Sequence, residues 1–233
     1  MKSLLLLIRS TIGRKYFVAL TGALLVGFVI VHMLGNLQIF GGPDLINHYG
    51  MVLKSNSIVL WTARLGLLAI VAIHIGGAIS LAVENRQARP LGYKKQNTIQ
   101  ASLASLTMVI SGSIVLAFII FHILHFTTKT IDPTYHDLMV QIDDQGPLIP
   151  DIYSMVVKGF SNPLISAFYI LSVGFLCLHL SHGIGSIFQT MGWRTRKSST
   201  LTDFLAKAIS FIVFLGMAGV PAAVLLGIVK PIA

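Results

Sequence analysis

Five mostly apolar runs of 25 to 29 residues divide this 233-residue chain, at 16–40, 59–83, 99–126, 163–191 and 204–229. A bilayer core takes about 20 apolar residues per helix, so each run is long enough to cross one. Inside hydrocarbon every backbone N–H and C=O must be satisfied within the segment, which a helix does by itself. The expected fold is therefore an all-α integral membrane protein, a bundle of five transmembrane helices. Composition agrees: 11% of residues are charged and mean hydropathy is +0.81, where a soluble domain carries about 25% charged residues. The chain shows no repeat of fixed period and reads as one transmembrane domain over 1–233, with its longest connection at 127–162.

The net charge of +9 would suggest nucleic acid if it were spread over a face. It is instead confined to alternate connections. Lys2, Arg9, Arg14 and Lys15 precede the first run, and Arg86, Arg89, Lys94 and Lys95 lie between the second and third. Arg194, Arg196, Lys197 and Lys207 surround the gap before the fifth. These are 12 of the 17 basic residues, and the positive-inside rule places them on the cytoplasmic side. Asp44, Asp132, Asp137, Asp143, Asp144 and Asp151 fall on the other side. The N-terminus is then cytoplasmic and the C-terminus external. The opening MKSLLLLIRS has no small-residue cleavage site and is interrupted by Arg9, so it reads as an uncleaved interfacial lead-in. Cys177 is the one cysteine, which leaves no disulfide framework or thiolate metal site.

Ionisable groups in a membrane span are costly and mark a pathway or a cofactor site. Four of the five runs carry histidine: His32, His74, His122 with His125, and His179 with His182. At ~1.5 Å rise per residue, His74 lies ~15 Å and His179 ~20 Å from the cytoplasmic ends of their helices. His32 lies ~25 Å and His122 ~35 Å from theirs. The four sort into an inner pair, His74 with His179, and an outer pair, His32 with His122. Two imidazoles at each of two depths are what two stacked haems need for axial ligation. A lone membrane histidine can equally well bond a neighbouring carbonyl, but four on separate helices at two levels fit ligation better. His125 and His182, three residues from preferred ligands, read as hydrogen-bonding partners or alternative ligands, and spacing alone leaves His182 open. His48 and His136 lie in external segments, where a solvated ring is the default. Arg14, Lys15, Arg86 and Arg89 on the inner side, and Lys54 and Arg64 on the outer, are placed to pair with haem propionates.

The stretches VHMLGN at His32, IHIGGAIS at His74, FHILHFTT at His122 and LHLSHGIGS at His179 resemble the cytochrome b membrane anchor of succinate dehydrogenase and fumarate reductase. The likeness is to the single-subunit, five-helix class with two haem b groups, and it covers nearly the whole chain. It implies His32 with His122 on the distal haem and His74 with His179 on the proximal one, and it favours His179 over His182. It also implies a flavoprotein partner carrying FAD, an iron–sulfur partner, and electron exchange with quinone, by analogy menaquinone. That places the chain in respiratory complex II and the tricarboxylic acid cycle, in a bacterial cytoplasmic membrane. The chain has no GxGxxG fingerprint and no set of cluster-binding cysteines, so succinate chemistry belongs to its partners. Near the outer pair, Asn36, Gln38, Asn47, His48, Tyr49 and Trp61 are the quinone candidates, although Trp61 and Tyr49 suit interfacial anchoring equally.

One departure from the family bears on proton movement. Some members have a glutamate two residues before the fourth-helix ligand, where this chain has Cys177. Two other functions remain open at this point. One is the dihaem cytochrome b subunit of a hydrogenase or formate dehydrogenase. The other is a haem-free transporter with a histidine proton relay, which fits poorly with spans that hold no deep acid.

Overall fold

The computed structural model describes residues 10–88, 107–142 and 146–232. In chain order its helices are α1 (Thr11–Leu37), α2 (Pro43–Lys54), α3 (Ser57–Gln87), α4 (Met108–His122), α5 (Ile152–Phe160), α6 (Pro163–Thr190) and α7 (Ser199–Leu225). A 3₁₀ turn, Gln38–Gly41, extends α1, and a π turn, Ile123–Thr127, extends α4. With those extensions, α1, α3, α4, α6 and α7 are the five helices long and apolar enough to cross a membrane. Residues 1–9, including the lead-in, lie outside the described residues, as do Arg89 and the expected start of the third run at 99–106.

Helix ends follow local chemistry. Ser10 caps α1, its Oγ accepting from the Gly13 N–H at 3.0 Å. Asn56 caps α3, accepting from Ile58 and Val59 N–H groups at 3.1 Å each. Asn162 caps α6 through the Leu164 N–H at 2.9 Å, with Pro163 in the first turn where its missing N–H costs nothing. The first and last membrane helices begin five residues before the apolar runs do, at Thr11 and Ser199. Charged residues such as Arg14 and Asp203 ended the apolar pattern without ending the helix. Helix α7 stops at Leu225, before the run ends, because Gly227 takes φ +67° and turns the Ile228 and Val229 N–H groups back to the Ala223 carbonyl.

Helix α6 packs against α1, α4 and α7, and α3 lies chiefly along α1. No residue of α3 is buried, and the outer faces of the spans carry large apolar side chains such as Leu68, Ile79 and Leu171. These faces suit a hydrocarbon solvent. One end of the bundle is covered by a cap made of α2, a two-strand antiparallel ladder pairing Met139 with Pro150, and α5. The short α5 lies within the long 127–162 connection. Helix α2 is additional, and its signals are Gly42 at φ +97°, Pro43 at the first position and Asp44 in the first turn. Asn47 joins the two parts of the cap. Its Oδ1 accepts from the Ile152 and Tyr153 N–H groups at 2.8 and 3.0 Å, and its Nδ2 donates to Asp151 Oδ1 at 3.0 Å.

Candidate functional site

Four of the in-span histidines meet in two pairs. The rings of His32 on α1 and His122 on α4 stand 5.7 Å apart between centres, at 83°. Those of His74 on α3 and His179 on α6 stand 6.5 Å apart, at 72°. The two levels are separated along the helices. Thr21, which touches His74, precedes His32 by 11 residues on α1, and Ser111, which touches His179, precedes His122 by 11 on α4. At ~1.5 Å per residue this spaces the levels by ~15 Å.

Hydrogen bonding assigns the nitrogens of the inner pair. Thr21 Oγ1 donates its single proton to the helix carbonyl of Phe17 at 2.7 Å or Val18 at 3.1 Å. Ser111 Oγ likewise donates to the Met108 carbonyl at 3.1 Å. With its proton so placed, each hydroxyl accepts from the imidazole beside it. His74 Nδ1 lies 3.2 Å from Thr21 Oγ1 and 3.2 Å from the Val18 carbonyl, and His179 Nδ1 lies 3.3 Å from Ser111 Oγ. Facing the Val18 carbonyl, which can only accept, His74 carries its proton on Nδ1 and keeps the lone pair on Nε2; His179 takes the same tautomer when the Ser111 proton goes to Met108. Neither Nε2 has a hydrogen-bond partner among the described residues.

The outer pair is set differently. His32 stacks on Phe28, and Asn36 Nδ2 lies 3.3 Å from its Nε2 while donating to the His32 carbonyl at 2.8 Å. An amide N–H only donates, so here too Nε2 holds the lone pair. His122 Nδ1 lies 3.4 Å from the Tyr169 hydroxyl, which is 2.9 Å from His125 Nδ1, and His125 Nε2 is 3.1 Å from the Tyr135 hydroxyl. His125 is fully buried. The Thr128 N–H bonds to the Ile123 carbonyl five residues back at 2.9 Å. The turn is wider here than in an α-helix, and both imidazoles still reach the one Tyr169 hydroxyl, as their spacing on nearly one face suggests. Burial, with the Asp132 carboxylate adding to it, pushes the Tyr135 phenol up to about 12, so it stays protonated.

His182 plays no part in either pair: its Nε2 lies 3.1 Å from Ser186 Oγ, one turn on along α6. Arg14 donates to Ser80 Oγ and, at 2.6 Å, to Glu84 Oε2, while Thr11 donates to Glu84 Oε1 at 2.8 Å. This ties α1 to α3 and leaves the buried Arg14 Nε without a partner among the described residues. Lys15 and Arg86 are exposed. Partial burial, then the charges of Lys129 and Arg64, lower the pKa of Lys54, which gathers three cations near the cap. None of the three has an ion-pair partner among the described residues. Arg64 also lies 5.2 Å over the Trp61 ring. Among the quinone candidates, Tyr49 packs on Gly35, His48 lines a shallow cavity with Met51 and Ile149, Gln38 sits in the 3₁₀ turn, and Asn47 is held by the cap.

Sequence reasoning missed Tyr169, Tyr135, Thr21 and Lys129. Lys129 donates to the Tyr135 carbonyl at 2.7 Å from a left-handed backbone, φ +57°. No pattern in the sequence marks these positions, because each acts on a group carried by a different element.

The donor set can be tested against a metal centre. Among the described residues no three His, Cys, Asp or Glu side chains converge, so each level offers two imidazoles, suited to a metal that brings its other ligands with it. Metal–nitrogen bonds of about 2 Å on opposite sides, plus roughly 1.1 Å from each nitrogen to its ring centre, separate two such rings by about 6 Å. The observed 5.7 and 6.5 Å bracket that value. The residues fit. Comparison with protein-family models, curated proteins and solved structures returns no match.

Proposed function

We propose that this chain is a dihaem cytochrome b, the membrane anchor of a succinate:quinone oxidoreductase, passing electrons between an iron–sulfur partner and quinone. The observation that carries this reading is the inner pair: two imidazoles 6.5 Å apart, each with Nδ1 bound to a neighbouring helix and Nε2 unpartnered among the described residues. His74 and His179 would hold the proximal haem and His32 and His122 the distal one. Bound haem supplies one-electron chemistry at iron.

The chain's own residues do the rest. The Val18 carbonyl and the Thr21 and Ser111 hydroxyls fix ring orientation and keep the ligating nitrogens deprotonated. Tyr169, backed by His125, does the same for His122. Asn36 must release the His32 lone pair for ligation. The cations Lys54, Arg64 and Lys129 offer charge to propionates at the distal level. At the proximal level Arg14 is already paired with Glu84 and offers its free Nε. Quinone would sit near the cap, beside Tyr49, Trp61 and Gln38, with Asn47 and His125 serving structure instead.

The orientation follows from charge: basic connections toward the cytoplasm, where the iron–sulfur and flavoprotein partners would dock, and the cap outside, in a bacterial cytoplasmic membrane. The test is purification in mild detergent with a haem-to-protein ratio and identification of bound subunits. Two haem b per chain, with a copurifying flavoprotein that holds covalent FAD, is the expected result. A chain with no Soret band would overturn the assignment. Two haems with a partner lacking flavin would instead place the chain with hydrogenase or formate dehydrogenase subunits.

A further inference from the structure

The contacts behind His74 and His179 are the same contact made twice. Thr21 and Ser111 each lie 3.1 Å from the carbonyl three residues back and 3.2 and 3.3 Å from an imidazole Nδ1, and Thr21 has in addition a shorter bond, 2.7 Å, to the Phe17 carbonyl four residues back. The next residue is glycine in both cases. A Cβ at Gly22 would lie 3.3 Å from His74 Cε1 and 3.7 Å from its Nδ1. A Cβ at Gly112 would meet the same atoms of His179 at the same two distances. The correspondence extends along the helices: Met108, Ser111, Gly112 and His122 each follow Val18, Thr21, Gly22 and His32 by 90 residues. No repeat of fixed period is visible in the sequence, because only four positions of each helix are shared and just two of those keep their residue type.

We propose that Thr21–Gly22 and Ser111–Gly112 form a duplicated positioning element, in which a hydroxyl fixes the tautomer of the inner histidine on the following span and a glycine lets its ring approach. The proposal rests on the haem reading above for its purpose and extends it to residues that touch no ligand. The physical reason for the pairing of residue types is steric. A hydroxyl on the helix wall reaches Nδ1 only if the ring lies close against that wall. A methyl group at the adjacent position would push the ring out by a few tenths of an ångström. The same two helices carry the outer histidines some 15 Å further on, so one helix both supports the inner level and supplies a ligand to the outer.

One difference between the two copies lies at the histidine, and the test uses it. His74 has a second acceptor, the Val18 carbonyl at 3.2 Å, whereas Ser111 is the single acceptor for His179 among the described residues. Ser111→Ala and Thr21→Val remove the hydroxyls with little change of shape, and Ser111→Thr and Thr21→Ser restore them. In the purified full chain with its bound subunits, potentiometric titration and low-spin ferric EPR read each haem separately. Ser111→Ala should shift the potential and EPR signature of one haem and leave the other in place. Thr21→Val should shift that same haem by less, and the conservative variants should match the parent. Unchanged potentials and spectra in the Ser111→Ala, Thr21→Val double variant would overturn the proposal, as would equal shifts in the conservative variants. ¹⁵N spectra of histidine-labelled chain read the tautomers directly. An Nε2-protonated His179 in the unliganded parent chain would sink the positioning role, whereas a colourless chain with Nδ1-protonated His74 and His179 would sink the functional reading alone.

Discussion

His179 and His74 belong to helices that come from opposite halves of the chain, yet their rings stand 6.5 Å apart, each held from behind by a hydroxyl of a third or fourth helix. His182, three residues on, has its Nε2 committed to Ser186 of its own helix. The difference is one of neighbours, since both rings lie within the same apolar span.

That difference separates the two histidines in a substitution experiment. His179→Ala should lose about half of the bound haem while the His32–His122 level keeps its share. His182→Ala should keep the full complement. Pyridine haemochrome assays on purified protein check both, and full haem retention in His179→Ala would refute the pairing.

Tyr169 serves two buried rings through one hydroxyl. Tyr169→Phe keeps the aromatic packing with Phe118 and Phe160 but leaves both imidazoles short of a partner. Leaving a buried polar group unsatisfied costs about 1–3 kcal/mol, so a clear fall in thermal stability in detergent is expected. A melting temperature equal to that of the parent would show that water replaces the phenol.

Asn47 makes three hydrogen bonds inside the cap, two of them to free N–H groups at the start of α5. Removal of a cap of this kind costs about 0.5–2 kcal/mol. Asn47→Ala should loosen α5 and expose the segment before it to limited proteolysis, with the spans intact by circular dichroism. Unaltered cleavage would mean that Asp151, which also accepts from the Ser154 N–H at 3.0 Å, holds the helix start unaided.

The Arg14–Glu84 pair is expected to matter less than its 2.6 Å length suggests. Its side chains are 25% and 42% exposed, and exposed pairs contribute about 0–1 kcal/mol. Glu84→Gln should therefore shift thermal stability only slightly. Arg14→Met, which also abandons Ser80, should do more. Equal losses in the two variants would contradict this division.

Much of this arrangement is legible along the chain. Hydrophobic length alone specifies five spans, and the boundaries err by only a few residues, at ends where Ser10 or Gly227 overrides the apolar pattern. The division of four histidines into two depths follows from helix rise, and the structure brings those same residues together. Harder to see are His125 and Asn47. The first reads as a hydrogen-bonding neighbour of His122, which it is, but its partners are the phenols of two other elements, Tyr135 and Tyr169. The second reads as a polar group near the outer pair, but it ties together the two halves of the cap.

The sequence by itself determined which five helices are long and apolar enough to cross a membrane, and how far along its helix each imidazole stands. These depend on length, apolarity and rise, which are properties of one segment at a time. Tertiary structure alone decided which nitrogen of each inner ring stays free, because that turns on a hydroxyl supplied by another helix. A hydrogen bond across 53 or 68 residues of chain has no local signature, and it forms only when packing brings the two surfaces within about 3 Å.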